Sequence, residues 1–200
     1  MKPLFVSQRV VEDTKHGERR DALDQRWGCF LEVCGFYAVH VPNQPKWIEE
    51  IEKSIKPAGV LLTGGNDLHE LGGAAPEREA TEDALLDYAG RHKLRVFGVC
   101  RGFQFLLHRA GAKLVKGEGH SGTRHMIMGV DGYREVNSFH DWVVSNTPEG
   151  WRVRARGSDG TVESAEVENG RLAGQMWHPE RETDNLQFDV RRFKNFFGVN

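Results

Sequence analysis

The apolar run Arg95-Val-Phe-Gly-Val99 ends at Cys100-Arg101-Gly102 and passes without a loop into the amphipathic stretch 103–111. A buried strand that turns straight into a helix, with small residues on both sides of one reactive side chain, is the geometry of a nucleophile elbow. Such a turn belongs to a sheet covered on both faces, and the sequence before it supplies the pattern. Strand-like runs at 4–7, 36–42 and 59–65 alternate with helical runs at 20–34, 47–55 and 77–92. The 20–34 helix sets Ala22, Leu23, Trp27, Phe30, Leu31 and Cys34 on one face and stops at Gly35; the 77–92 helix turns Ala80, Ala84, Leu85 and Tyr88 inward. This alternation predicts an α/β fold with a mostly parallel sheet and helices on both faces. Beyond residue 112 short turn-bounded runs (KLV, REVNSF, VVSN, WRVRARG, VESAEVE, LAGQMW) predict added antiparallel strands, and RRFKNFFG predicts a closing helix.

Two hundred residues suit one domain with one core, spanning 1–200. A formal charge of −2, mixed in sign along the chain, provides no field for a polyanion. Nucleic acid and membrane surfaces are therefore not expected as partners, and a small molecule is. No segment approaches the roughly 18 apolar residues of a membrane span, and the N-terminal residues do not read as a signal peptide, so the expected location is the cytoplasm. Three cysteines are an odd number for a disulfide framework and leave room for one reactive thiol. Cys29 and Cys34 read as packing residues on their helix.

As an isolated residue Cys100 would read as an inert cysteine at the end of a core strand. Gly98 and Gly102 argue otherwise, because a core strand gains nothing from them. At the carboxyl edge of a sheet, beside the positive end of the following helix, the thiolate is favoured. A thiolate nucleophile needs a proton shuttle oriented by a third group, and Met176-Trp177-His178-Pro179-Glu180 offers both in one short run. Alone, that tripeptide would be a turn, as would Thr63-Gly64-Gly65-Asn66-Asp67.

Taken together, Gly98-Val-Cys100-Arg-Gly102-Phe-Gln104, Thr63-Gly-Gly-Asn-Asp67 and Gln175-Met-Trp-His178-Pro-Glu180 closely resemble class I glutamine amidotransferases, and among them the γ-glutamyl hydrolase branch. The resemblance implies a flavodoxin-like central sheet, a Cys100–His178–Glu180 triad and a glutamyl thioester on Cys100. It implies an oxyanion hole from the backbone N–H groups of Gly65 and Arg101, with Gly64, Asn66 and Gln104 in the substrate site. No cofactor is expected. Arg78, Glu82 and Leu85-Leu86 resemble a helix motif of that branch, with Glu79 where it has Asp. Val136-Asn137-Ser138-Phe139-His140 resembles a segment that lies beside its active site, which implies substrate contacts from Asn137, Ser138 and His140.

The first strand departs from the branch, ending Val6-Ser7-Gln8-Arg9, and the carboxyl end of that strand is where a doubly wound sheet meets its ligand. Arg9 is thereby a candidate anion contact. In this and in its length the chain is similar to the type that hydrolyses γ-glutamyl-CDP-amidate in bacterial capsule phosphoramidate pathways. Arg19, Arg20, Lys116, Arg124 and His125 are further basic residues that a phosphoryl-bearing leaving group would use. Two other enzyme readings stay open: a hydrolase of another conjugate such as γ-glutamyl-γ-aminobutyrate, and a glutaminase subunit that delivers ammonia to a synthetase partner. A non-catalytic binding protein is disfavoured by an intact Cys, His and Glu. A metal site is not expected: His120, His125 and His140 lie around a Gly-rich loop without a matching cysteine or carboxylate.

Overall fold

The computed structural model describes residues 1–184 and 186–199. In chain order its elements are β1 (Lys2–Val6), β2 (Arg9–Asp13), β3 (Glu18–Ala22), α1 (Arg26–Val33), β4 (Phe36–His40), α2 (Trp47–Ser54), β5 (Val60–Leu62), α3 (Pro76–His92), β6 (Val96–Val99), α4 (Arg101–Arg109), β7 (Val115–Lys116), β8 (Ser121–Gly129), β9 (Gly132–Phe139), β10 (Trp142–Val143), β11 (Trp151–Gly157), β12 (Val162–Val167), β13 (Leu172–Gln175) and α5 (Leu186–Phe197). Among the described residues one nine-stranded sheet runs β4-β1-β5-β6-β13-β12-β11-β8-β9. Its first five strands are parallel, and β12, β11, β8 and β9 extend it in antiparallel pairs. Counting only the parallel strands, the order is 2-1-3-4-5, the flavodoxin-like winding, with its switch point between β1 and β5.

Side chains that alternate along the strands fill two cores. Phe5, Val60, Leu62 and Val96 pack with Ile48 of α2, Leu85 and Tyr88 of α3 and Phe103 of α4. On the opposite face Leu4, Val6, Leu61, Phe97 and Val99 pack with Trp27 and Phe30 of α1 and Phe193 and Phe197 of α5. No helix among the described residues is long and apolar enough to cross a membrane.

The expected 20–34 helix is shorter than its periodicity suggested. Residues 18–22 instead form β3, paired with β2 in a hairpin whose register sets Glu12 opposite Arg19. The segment Glu18-Arg-Arg-Asp21 has no apolar stripe to bury, whereas as a strand it gains the cross-strand ion pairs Arg19–Glu12 and Arg20–Asp13. The helix begins only after Asp24, whose carboxylate accepts the Arg26 N–H at 3.0 Å. α4 starts two residues earlier than expected, and α5 extends five residues ahead of Arg191.

Close packing of α4 on the sheet requires glycine. A Cβ on Gly102 would lie 2.1 Å from the Leu62 carbonyl oxygen, and one on Gly98 2.6 Å from the Gly102 carbonyl oxygen. Gly102→Ala should therefore cost about 1–3 kcal/mol or more in urea unfolding, the penalty of forced overpacking. Gly90→Ala in α3, where a Cβ meets nothing within 4 Å, should instead stabilise by about 0.4–1 kcal/mol.

Candidate active site

The sheet register decides what meets at its carboxyl edge. Leu62 of β5 lies beside Gly98 of β6, and Val99 of β6 beside Gln175 of β13, so the three strands end nearly level. Thr63-Gly64-Gly65, Cys100 and Trp177-His178 consequently emerge side by side. The Cys100 N–H donates to the Gln175 carbonyl at 2.8 Å, and its own carbonyl accepts from Phe103 and Gln104 at the start of α4. Between these restraints Cys100 takes φ 51° and ψ −112°, which turns its side chain out of the strand.

His178 is held on both sides. Its Nδ1–H donates to Glu180 Oε1 at 2.7 Å, and Pro179–Arg181 forms the single 3₁₀ turn that brings the carboxylate back to the ring. The Asn137 side chain clamps the backbone of the same residue, accepting the His178 N–H at 2.9 Å and donating to its carbonyl at 2.8 Å. Phe139 places an edge-on ring against the imidazole, centroids 5.7 Å apart. With Nδ1 committed to Glu180, Nε2 is the nitrogen free to meet the thiol. Burial would lower the imidazole pKa, but the Cys100 sulfur charge and hydrogen bond, with Glu180, outweigh it and raise the value to about 10.

Gly64 fits against this pair because it has no side chain: a Cβ there would lie 2.6 Å from His178 Cε1 and 3.4 Å from Cys100 Cβ. A buried arginine fixes the loop. Arg78 of α3 donates to the carbonyls of Thr63 at 2.5 Å, Gly64 at 3.1 Å and Gly65. The peptide between Gly64 and Gly65 is planar and trans, so a carbonyl pulled toward Arg78 points the Gly65 N–H the opposite way. Arg78 is in turn paired with Glu82 at 3.0 Å; Glu82 also accepts from Ser7 Oγ at 2.9 Å and pairs with Arg101. Burial lowers the Arg78 pKa to about 9, with the Cys100 sulfur charge and Glu79 acting against it. Arg101 opens α4, where its N–H is among those without an intrahelical partner.

Two cavities flank the Cys100 side chain and share Gly65, Cys100 and Phe139 in their walls. The first, about 200 Å³, is bounded by Arg9, Trp27, Gly64, His178 and Arg181; the second, about 250 Å³, by Asn66, Asp67, Gln104, His140 and Trp142. Gln104 is anchored there by donating to the Trp142 carbonyl at 3.0 Å. Asn66 is tied by two hydrogen bonds to the backbone of Val10, next to Arg9.

Two expected substrate contacts have their side chains engaged elsewhere. Asn137 spends its side chain on His178 and Glu182, and Ser138 Oγ donates to the His120 carbonyl; neither lines a cavity beside Cys100. Neighbours on a strand point to opposite faces, so Asn137 shares its face with Phe139, against His178, while Ser138 turns the other way, to the His120 carbonyl. Of the basic residues considered for a phosphoryl group, Arg9 borders the first cavity. Arg19 and Arg20 are bound in the β2–β3 ion pairs, Arg124 pairs with Glu135 and Glu182, and Lys116 lies over the Trp142 ring. Arg78 and Asn137 act here as positioning groups, roles that sequence reasoning missed. Each sat inside a recognised motif, but each acts on backbone remote in sequence.

Fold and site together define an α/β protein with a cysteine, a histidine–carboxylate pair and a glycine loop at the carboxyl edge of a flavodoxin-like sheet. The family model for glutamine amidotransferase class-I matches residues 30–197, and the chain belongs to that family. The Campylobacter jejuni gamma-glutamyl-CDP-amidate hydrolase is 25% identical over 191 residues, covering 92% of this chain and 94% of that protein. A glutamine-hydrolyzing GMP synthase subunit of Thermococcus kodakarensis is 26% identical over 159 residues, 75% of this chain and 79% of its own. In structure, a Thermoplasma acidophilum protein assigned to GMP synthase superposes with a TM-score of 0.74 at 19% identity, covering 99% of this chain and 94% of that one, a likeness of fold.

Because Glu180 helps to raise the His178 pKa, Glu180→Gln should lower it from about 10, and Cys100→Ser should do the same by removing the sulfur charge. An NMR titration of the His178 ring checks both. An unmoved titration in Glu180→Gln would show that the carboxylate does not act on the imidazole.

Proposed function

We propose that this protein hydrolyses a γ-glutamyl amide through a glutamyl thioester on Cys100, with the whole chain acting as one amidotransferase-type domain. The observation that carries the reading is the meeting of Cys100, the His178–Glu180 pair and the Arg78-held glycine loop between two cavities. The sulfur attacks the γ-carbonyl carbon, and the oxygen that gains charge is received by the N–H groups of Gly65 and Arg101. Each such donor contributes about 10²–10³ in kcat. The C–N bond then breaks as the His178 imidazolium passes its proton to the departing amine. In the second half His178 takes a proton from water, which attacks the thioester and releases glutamate. Glu180 holds the ring and its charge throughout.

The second cavity, with Gln104, suits the glutamyl part, and the first suits the leaving group. Arg9, whose guanidinium would lie within 3.2 Å of a Cβ placed on Gly65, supplies positive charge on that side. An anionic, phosphoryl-bearing amine fits it, as in γ-glutamyl-CDP-amidate, and the near full-length similarity to the Campylobacter jejuni hydrolase favours that substrate and a place in capsule phosphoramidate biosynthesis. The product would be cytidine diphosphoramidate. The second reading, a glutaminase component feeding ammonia to a synthetase, draws on the similarity to the Thermococcus kodakarensis GMP synthase chain.

Glutamate release by the protein alone, measured side by side on glutamine, γ-glutamyl-γ-aminobutyrate and γ-glutamyl-CDP-amidate, separates them. Turnover of γ-glutamyl-CDP-amidate with little on glutamine is the expected result; activity on glutamine that appears only with a synthetase present would establish the second reading. Cys100→Ala should fall below about a thousandth of wild-type turnover while still binding substrate. His178→Ala should lose more activity than Glu180→Gln. Since a proton must remain on His178 to leave with the amine, kcat/KM should decline on the alkaline side only as pH approaches about 10.

A further inference from the structure

Sequence spacing gave the histidines at 120, 125 and 140 no carboxylate, but the fold brings one from β12. Glu163 is 1% exposed, and its Oε1 lies 3.7 Å from His120 Nδ1, 3.5 Å from His125 Nε2 and 3.7 Å from His140 Nε2. Ligand atoms of His120, His125 and Glu163 all fall within 4.8 Å of one another. None of these three nitrogens, nor either oxygen of Glu163, has a hydrogen-bond partner among the described residues. Five buried polar atoms that lie near one another without a hydrogen bond are costly, since ion-pair contact at 3.5–3.7 Å only partly offsets their lost hydration.

We propose that this cluster is a structural zinc site, with Zn(II) held by His120 Nδ1, His125 Nε2, His140 Nε2 and Glu163. Ligands about 2.0–2.1 Å from a tetrahedral ion stand about 3.3 Å apart; the Glu163 oxygen is already 3.5–3.7 Å from the three nitrogens, and the imidazoles would draw together around the ion. The outer atoms of two rings are already engaged as zinc ligands require. His120 Nε2 is 2.8 Å from Asp159 Oδ2, and His140 Nδ1 donates to the Trp142 carbonyl at 3.1 Å. Each contact places the proton on the outer nitrogen and leaves the inner one with a lone pair. Three imidazoles and one carboxylate are a borderline donor set that suits zinc over calcium or magnesium, and four protein ligands leave no open position for catalysis.

The site has a mechanical consequence. β8 pairs with β11 only through residues 127–129, so its 121–126 half and the end of β9 extend beyond that contact. A metal bridging His125 and His140 to Glu163 would fasten this half of the hairpin to β12. That half carries Asn137 and Phe139, the two residues that hold His178.

The test uses untagged protein purified from zinc-supplemented medium, with metal content by mass spectrometry and melting with and without chelator. About one zinc per chain, a lower Tm after chelation and its recovery with Zn(II) are expected. Cobalt exchanged into the site should show the visible bands of a tetrahedral ion. Asp159→Asn, which keeps all four ligands, should weaken zinc affinity about 10–100-fold. His125→Ala should abolish binding, and Cys100→Ser should leave it intact. Protein that neither carries zinc nor changes its melting with Zn(II), or zinc that is lost in Cys100→Ser and retained in His125→Ala, would overturn the proposal. The wild-type cobalt spectrum decides the matter even if His125→Ala does not fold.

Discussion

Cys100 is held at φ 51° and ψ −112°, a conformation that a non-glycine residue keeps, at a cost of order 1–3 kcal/mol, only where its surroundings over-determine it. The surroundings are specific. β13 takes its N–H, the first turn of α4 takes its carbonyl, and Gly98 and Gly102 let helix and strand approach so closely that the turn needs no loop. The sulfur is thereby carried out of the sheet between the two cavities. Every other part of the site is arranged around that point: the glycine loop above β5, His178 beyond β13, and the hairpin that braces His178 from the far end of the sheet.

Charge is the second constraint, and it is managed by burial in pairs. Arg78 and Arg101 are both almost fully enclosed, and both press on Glu82. Isolated, either guanidinium would be prohibitively expensive to bury; together with Glu82, Glu79 and the loop carbonyls they form a network in which each partner depends on the others. Burial first, and then the Arg78 charge, pull the Arg101 pKa well below its ordinary value. The arrangement fixes the orientation of peptides as well as charge. Removing Glu82 would leave two buried cations unbalanced and release the loop that sets the Gly65 N–H, so this helix face serves the site more than it serves the core.

That point explains what was legible in the sequence. Cys100, the His178-Pro-Glu180 run and the Thr63-Gly-Gly loop are each contiguous, and parallel strands ending level bring contiguous motifs together without further information. The parallel half of the sheet was equally legible, because strands buried on both faces are uninterrupted apolar runs. α3 was recognised as a helix, but the purpose of its inward face was hidden, since Arg78, Thr81 and Glu82 occupy positions that periodicity assigns to apolar residues. Asn137 looked like a substrate contact because it adjoins the site; which way it faces depends on the register of β9 with β8. Glu163 was invisible as a partner of the histidines because only the antiparallel extension carries it to them.

The two cavities bear on the choice between a free-standing hydrolase and an ammonia-delivering glutaminase. Both proposed chemistries need room for a glutamyl group and a thioester on the cysteine, and they differ in what must leave. Ammonia is small and neutral and has no use for a cation beside it. In this chain the first cavity, proposed for the leaving group, is flanked by Arg9 and by Arg181, which lies over the Phe139 ring at 4.7 Å while pairing with Glu180 at 3.5 Å and Asp24 at 3.7 Å. Arg181 is thus largely neutralised by its two carboxylates, whereas Arg9 stands on the β2–β3 hairpin, a segment positioned through Asn66 and the loop that Arg78 fixes. A cation placed with that much structural support beside Cys100 is what the proposed anionic leaving group would need.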